Sequence, residues 1–119
     1  MKNIGWIGLG KMGIPMALKL AESGHKLSVF NRTKSKTTAL VKAGASAENN
    51  VADVAKKSDV IITMVSDDTA LEMIALNANG ILENAKSNST FIDMSTVSPV
   101  LSQKISQVAL KKGINYLRA

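Results

Sequence analysis

Apolar residues in this chain come in short runs set between segments of helical period. Residues 4–8 form a brief apolar run and predict a buried strand. Residues 11–23 carry Met12, Met16 and Leu20 at helical spacing and predict a helix, with Gly24 as its left-handed terminator. Residues 26–31 predict a second strand through Leu27, Val29 and Phe30. A helix is predicted over 35–43, stopped by Gly44, then a short extended piece at 45–47. Residues 51–57 read as a short helix with Asn50 as its cap. The most continuous apolar run, 59–65, predicts a central parallel strand buried on both faces. Residues 67–76 read as a helix, followed by a turn at Asn79-Gly80 and a strand at 90–93. Pro99 suits the first turn of a helix that ends near Lys112 at Gly113, and a last strand is predicted at 114–117.

Strands joined by helical crossovers argue for a parallel sheet with helices on both faces. No internal repeat, low-complexity stretch or linker interrupts the pattern, so residues 1–119 read as one domain.

The segment between the first strand and first helix is Gly8-Leu9-Gly10-Lys11-Met12-Gly13. It matches G-x-G-x-x-G in the context that gives the pattern meaning, with a strand before it and a helix after it. Gly8 permits the tight turn, Gly10 lets a pyrophosphate approach the backbone, and Gly13 lets the helix pack closely on the strand. Backbone N–H groups at the helix start then meet the negative charge. The expected fold is therefore α/β, a Rossmann-type doubly wound parallel sheet in three layers with about six strands.

The second part of that fingerprint is the residue ending the second strand, where NAD binders usually carry an acid for the ribose 2′-hydroxyl. Here the residues are Asn31-Arg32-Thr33. No carboxylate repels a 2′-phosphate, and Arg32 offers a planar cationic fork suited to one. The reading is NADP, with NAD also open. A second role for Thr33, capping the next helix, is compatible with it.

Composition narrows the alternatives. The chain has no cysteine, one histidine (His25), 45% hydrophobic residues and a formal net charge of +6. A disulfide framework, a thiolate metal site and cysteine catalysis are excluded, and no metal site is expected. The lysines are scattered, no run of five basic residues exists, and aromatics are only 3%, so neither a nucleic-acid nor a membrane partner is expected. No apolar stretch approaches a bilayer span, and Met1 to Gly5 leads straight into structure, so the expectation is no signal peptide and a cytoplasmic protein. Asp93, ending a strand, reads as a structural acid that satisfies backbone donors. Asp67-Asp68 reads as a helix cap, and Met12 and Met16 as a helical core face.

The run Gly5-Trp6-Ile7-Gly8-Leu9-Gly10-Lys11-Met12-Gly13-Ile14-Pro15-Met16-Ala17 resembles the opening of the β-hydroxyacid dehydrogenases. That family includes 3-hydroxyisobutyrate dehydrogenase, tartronate semialdehyde reductase, glyoxylate/succinic semialdehyde reductases and 6-phosphogluconate dehydrogenase. Ile62-Thr63-Met64-Val65-Ser66 is similar to the family loop that lies along the cofactor. Ile92-Asp93-Met94-Ser95-Thr96-Val97-Ser98-Pro99 is similar to its substrate-binding segment. Lys19, where the family often has Asn, is one departure.

The resemblance implies that Leu9, Gly10, Lys11 and Met12 meet the pyrophosphate through their backbone. It implies that Asn31, Arg32 and Thr33 hold the adenosine ribose and its 2′-phosphate. Met64, Val65 and Ser66 would follow the cofactor, with Thr96 near the nicotinamide. Ser95 and Thr96 would offer hydroxyl and backbone donors to a substrate carboxylate.

In the family, hydride passes between nicotinamide and a carbonyl or alcohol carbon, and a lysine beyond the nucleotide-binding domain moves the proton. These 119 residues hold neither that lysine helix nor the Pro-Val-Ser-Gly-like motif expected after residues 116–119. No catalytic residue is therefore assigned in this chain, and Lys11 belongs to the phosphate loop. The expectation is the cofactor half of an NADP-dependent oxidoreductase acting on a small 3-hydroxyacid or semialdehyde, without turnover alone. The alternatives are a non-catalytic NADP-binding or sensor module, an imine reductase-type relative and, from charge alone, a nucleic-acid binder. Homo-oligomerisation stays open, and apolar surface that a second domain would cover is expected to promote self-association.

Overall fold

The computed structural model describes residues 2–9, 12–65, 67–95 and 98–118. The order is β1 (Asn3–Ile7), α1 (Gly13–Glu22), β2 (Lys26–Phe30), a 3-10 turn (Lys34–Thr37), α2 (Thr38–Lys42), β3 (Ser46–Ala47) and α3 (Val51–Lys57). It continues with β4 (Val60–Thr63), α4 (Asp68–Leu76), α5 (Ile81–Asn84), β5 (Thr90–Asp93), α6 (Pro99–Lys112) and β6 (Asn115–Arg118). All neighbouring strands are parallel, in the order β3-β2-β1-β4-β5-β6. This is the doubly wound dinucleotide-binding order, whose direction reverses between β1 and β4.

Strand alternation sorts the core onto two faces. Ile4 and Trp6 of β1 join Leu27, Val29, Ala17 and Leu40 beneath α1 and α2. Ile7 joins Ile61, Phe91, Leu71 and Ile105 beneath α3 to α6. Gly5 lies on that second face, where a Cβ would come within 2.5 Å of Val54 Cγ1, so β1 and α3 approach too closely for a side chain. Phe91 and Tyr116 are register partners with ring centroids 5.2 Å apart, which ties β6 to the core.

Several local signals hold. Asn50 caps α3 by accepting from Asp53 N–H at 2.8 Å, and Asp67 caps α4 by accepting from Ala70 N–H at 2.8 Å. Gly113 ends α6 at φ +72°. Others are corrected. The helix predicted over 35–43 is split, because Thr37 and Thr38 hydroxyls donate to the carbonyls of Lys34 and Ser35 and favour a tighter first turn. The one-turn helix α5 was not predicted. Asn84 holds it by donating to Gly80 O at 2.7 Å. Met12 is 66% exposed and is no core residue, because it stands at the N-cap of α1 rather than on that helix's buried face, which holds Gly13 and Ala17.

The strand expected to be buried on both faces is buried on one. Ile61 and Thr63 are inaccessible, whereas Val60 and Ile62 are half-buried. The cause is visible along one row of the register, Val29–Trp6–Ile62–Ile92–Leu117. Val29 and Trp6 lie under α1 and α2 and are buried, Ile62 and Ile92 are half-buried, and Leu117 is 57% exposed. A parallel sheet is ordinarily covered on both faces, whereas none of the described helices covers this apolar half-face. The isolated chain is expected to self-associate through it. In sedimentation, apparent mass should rise with concentration, and Leu117→Lys should suppress the rise. A wild-type chain that stays monomeric across the range would contradict this use of the face.

Candidate functional site

In a sheet of this topology, ligands collect outside the carboxyl ends of the strands at the point where strand order reverses. The described residues singled out in the sequence gather there. Gly8 and Leu9 follow β1, Asn31 to Thr33 follow β2, Met64 and Val65 follow β4, and Ser95 follows β5. Met12 and Gly13 open α1 beside Gly8. Gly10, Lys11, Ser66 and Thr96 lie outside the described residues.

The turn at Gly8 is sterically determined. Its φ is +94°, and a Cβ there would collide with the Met64 carbonyl oxygen and lie 2.8 Å from Val65 Cγ1. Gly13 plays the packing role expected of it, because a Cβ would lie 3.0 Å from the Gly8 carbonyl oxygen and 3.4 Å from Trp6 Nε1. Trp6 supports the loop from below, its buried indole N–H donating to Gly8 O at 2.9 Å. No side chain caps α1 among the described residues. That leaves the positive end of the helix facing the loop, the arrangement that receives anions.

The loop after β2 holds two surprises. The Asn31 side chain is turned inward: its Oδ1 accepts from Leu9 N–H at 2.8 Å and its Nδ2 donates to Thr33 O at 3.0 Å. The Leu9 N–H, expected to meet a pyrophosphate, is therefore already bonded. Thr33 does not cap the next turn with its hydroxyl; its carbonyl accepts from Lys36 N–H instead. Arg32 is exposed beside a cleft of about 170 Å³ between the β1, β2 and β4 ends and α4. Phe30, Val65, Ala70, Met73 and Ile74 give this cleft a mainly apolar wall. Its volume is below the roughly 300–1,000 Å³ of whole-ligand pockets, which suits one flat ring more than a complete dinucleotide.

Across β4 and β5 the loops are cross-braced. Asp93 is fully buried, and its Oδ1 accepts from Thr63 Oγ1 and Ser95 N–H, both at 2.9 Å. This is the structural role read from the sequence. Ser95 Oγ in turn accepts from Val65 N–H at 2.8 Å. The Ser95 backbone donor is thus committed, and its hydroxyl proton is what it retains for a ligand. Asp68 clamps the start of α6 by accepting from Ser98 N–H at 2.9 Å, and hydrogen bonds from the Ser98 side chain and backbone hold its carboxyl below the usual range. Burial, with the Asp93 carboxyl adding to it, pushes the Tyr116 hydroxyl up. Among the described residues no group of three His, Cys, Asp or Glu side chains forms a metal site.

We expect Thr63→Val, which preserves shape but removes one donor to Asp93, to cost about 1–2 kcal/mol in urea unfolding. An unchanged midpoint would show that the brace carries no stability.

Residues 3–119 match the family model described as the NAD binding domain of 6-phosphogluconate dehydrogenase. The chain belongs to that family. An uncharacterized oxidoreductase of Bacillus subtilis, YkwC, is 42% identical over 118 residues, which are 99% of this chain and 41% of the relative. The NAD-dependent L-serine dehydrogenase of Pseudomonas aeruginosa is 36% identical over 119 residues, 100% of this chain and 40% of the relative. The structure of Mycobacterium tuberculosis 3-hydroxyisobutyrate dehydrogenase with L-serine superposes with a TM-score of 0.90 at 26% identity, covering 100% of this chain and 40% of that one. The chain thus spans about two fifths of the length of the curated relatives it matches.

Within this NAD-binding domain, sequence reasoning missed the wall supplied by Ala70, Met73 and Ile74. Their i, i+3, i+4 spacing was the available signal, but spacing alone does not say whether such a stripe faces the core or a cleft. Met73 is 60% exposed, and so is not a core residue. No helix among the described residues is long and apolar enough to cross a membrane.

Proposed function

We propose that this chain is the cofactor-holding part of an oxidoreductase that moves hydride between NADP and a small 3-hydroxyacid or semialdehyde bearing a carboxylate. The observation that carries the choice of NADP is the end of β2. No carboxylate stands there, and Arg32 is exposed beside the apolar cleft. The name of the Pseudomonas relative specifies NAD; the preference proposed here rests on this chain's own residues.

The parts fit a dinucleotide. The Gly8 turn has no room for a side chain, no side chain among the described residues caps the α1 terminus, and the cleft suits an adenine ring. In this reading Met12 and Gly13, with Gly10 and Lys11, receive the pyrophosphate. Arg32 and Thr33 take the 2′-phosphate, Met64, Val65 and Ser66 follow the cofactor, and Ser95 and Thr96 present donors to the substrate carboxylate. When bound, the nicotinamide supplies the hydride. The chain itself orients both molecules, and we propose that the proton-moving lysine belongs to the portion of the protein corresponding to the rest of the relatives' length.

Trp6 provides the test. It is the sole tryptophan, 1% exposed and bonded to the Gly8 carbonyl. Titration with NADPH is expected to quench its emission saturably, by energy transfer to the reduced nicotinamide. Emission that falls only in proportion to added absorbance would oppose the proposal.

A further inference from the structure

A dinucleotide with a 2′-phosphate presents two charged groups, and here they would meet two different loops. One loop follows β1 and the other follows β2. Their backbones are joined at the strand ends by Gly8 N–H donating to Phe30 O at 3.1 Å. Beyond that point, the described bonds between them run through one side chain, Asn31. It accepts from Leu9 N–H at 2.8 Å and donates to Thr33 O at 3.0 Å. An N–H can only donate and a carbonyl only accept, so the two partners together fix which way the amide points. Leu9 is 2% exposed, so its anchored N–H fixes a residue that is also held by packing.

We infer that Asn31 is a positioning residue that locks the phosphate loop to the segment carrying Arg32. It acts through Leu9 and Thr33, and does not serve as a ligand for the 2′-phosphate. The amide is specific to the task. A carboxylate would keep the acceptor for Leu9 but lose the donor, and would set its charge against the Thr33 carbonyl. An aliphatic side chain would lose both bonds. The lock therefore serves every ligand with a pyrophosphate, whereas Arg32 serves only those with a 2′-phosphate. This inference rests on the cofactor reading above.

The test uses the whole chain, with NADPH and NADH as probes and amide hydrogen exchange at Leu9 in the free protein. For Asn31→Ala we expect faster Leu9 exchange, and NADPH and NADH affinities weakened by the same factor, about tenfold for the loss of positioning bonds. Their ratio should stay as in wild type. For Asn31→Asp, which keeps the Leu9 bond but breaks the Thr33 one, we expect Leu9 protection to be kept while both nucleotides bind more weakly, NADPH the more so because of the added charge. NADH affinity unchanged in this variant would also count against the lock, which covers the case in which the alanine variant fails to fold. Unchanged Leu9 exchange in Asn31→Ala, or a loss of affinity in that alanine variant confined to NADPH, would overturn the inference. A wild-type chain that binds neither nucleotide would overturn the cofactor reading instead, and Leu9 exchange would still decide whether the lock exists.

Discussion

Replacing Gly8 by valine is expected to lower stability by about 3–5 kcal/mol and to abolish nucleotide binding. Two penalties combine. The backbone at Gly8 has φ +94°, a conformation that L side chains rarely adopt and that a β-branched residue tolerates least. The new Cβ would also enter space held by the Met64 carbonyl and Val65. Those atoms lie just past the end of β4, on Met64, whose own N–H bonds to Ile7 O, and on Val65 beside it. Relief thus requires the β1 and β4 ends to part at the point where the site is built. For a domain of this size the loss corresponds to a fall of roughly 12–25 °C in the melting midpoint. Gly8→Ala should fall less, because it adds one carbon and no branch. A valine variant that melts and binds like wild type would remove the steric basis of the site.

Replacing Arg32 by alanine should weaken NADPH about 10–100-fold and leave NADH within about threefold, because charge-assisted bonds to a phosphate are worth about 1.5–3 kcal/mol. Arg32→Lys should fall between, since it keeps the charge but loses the planar fork. Arg32 is exposed, so solvent weakens its pull on a phosphate, and the lower end of the range is the better guide. The two β2-end variants are meant to behave differently. Arg32→Ala should collapse the NADPH preference, whereas Asn31→Ala should preserve it while weakening both nucleotides. Equal wild-type affinity for both nucleotides would refute the NADP assignment.

Much of this was legible in the order of residues, and the reasons are local. The glycine pattern, the caps at Asn50 and Asp67, and the stop at Gly113 depend on neighbours within a few positions. What could not be read depends on partners far along the chain. The inward turn of the Asn31 amide could not be read because its partner Leu9 lies 22 residues away. That the Ser95 backbone N–H is held by Asp93, and its hydroxyl oxygen by Val65 30 residues earlier, leaving only the hydroxyl proton for a ligand, could likewise not be read. The half-bare row at Ile62, Ile92 and Leu117 follows from crossover handedness. Helices α1 and α2 cover one face over β1 to β3, whereas α3 to α6 all lie on the other face, so no described helix covers the first face over β4 to β6. Single-turn α5 has no period to detect, although Ile81 and Leu82 are buried in the core.

The most direct measurement is a map of backbone amide shifts in the labelled chain as NADPH is added. The account predicts shifts at Gly8, Leu9, Arg32, Thr33 and Val65, all beyond the carboxyl ends of β1, β2 and β4. Gly24, Gly44 and Asn88, in loops that enter strands at the opposite edge, should stay still. No shifts at saturating NADPH, or shifts gathered at that opposite edge, would contradict it.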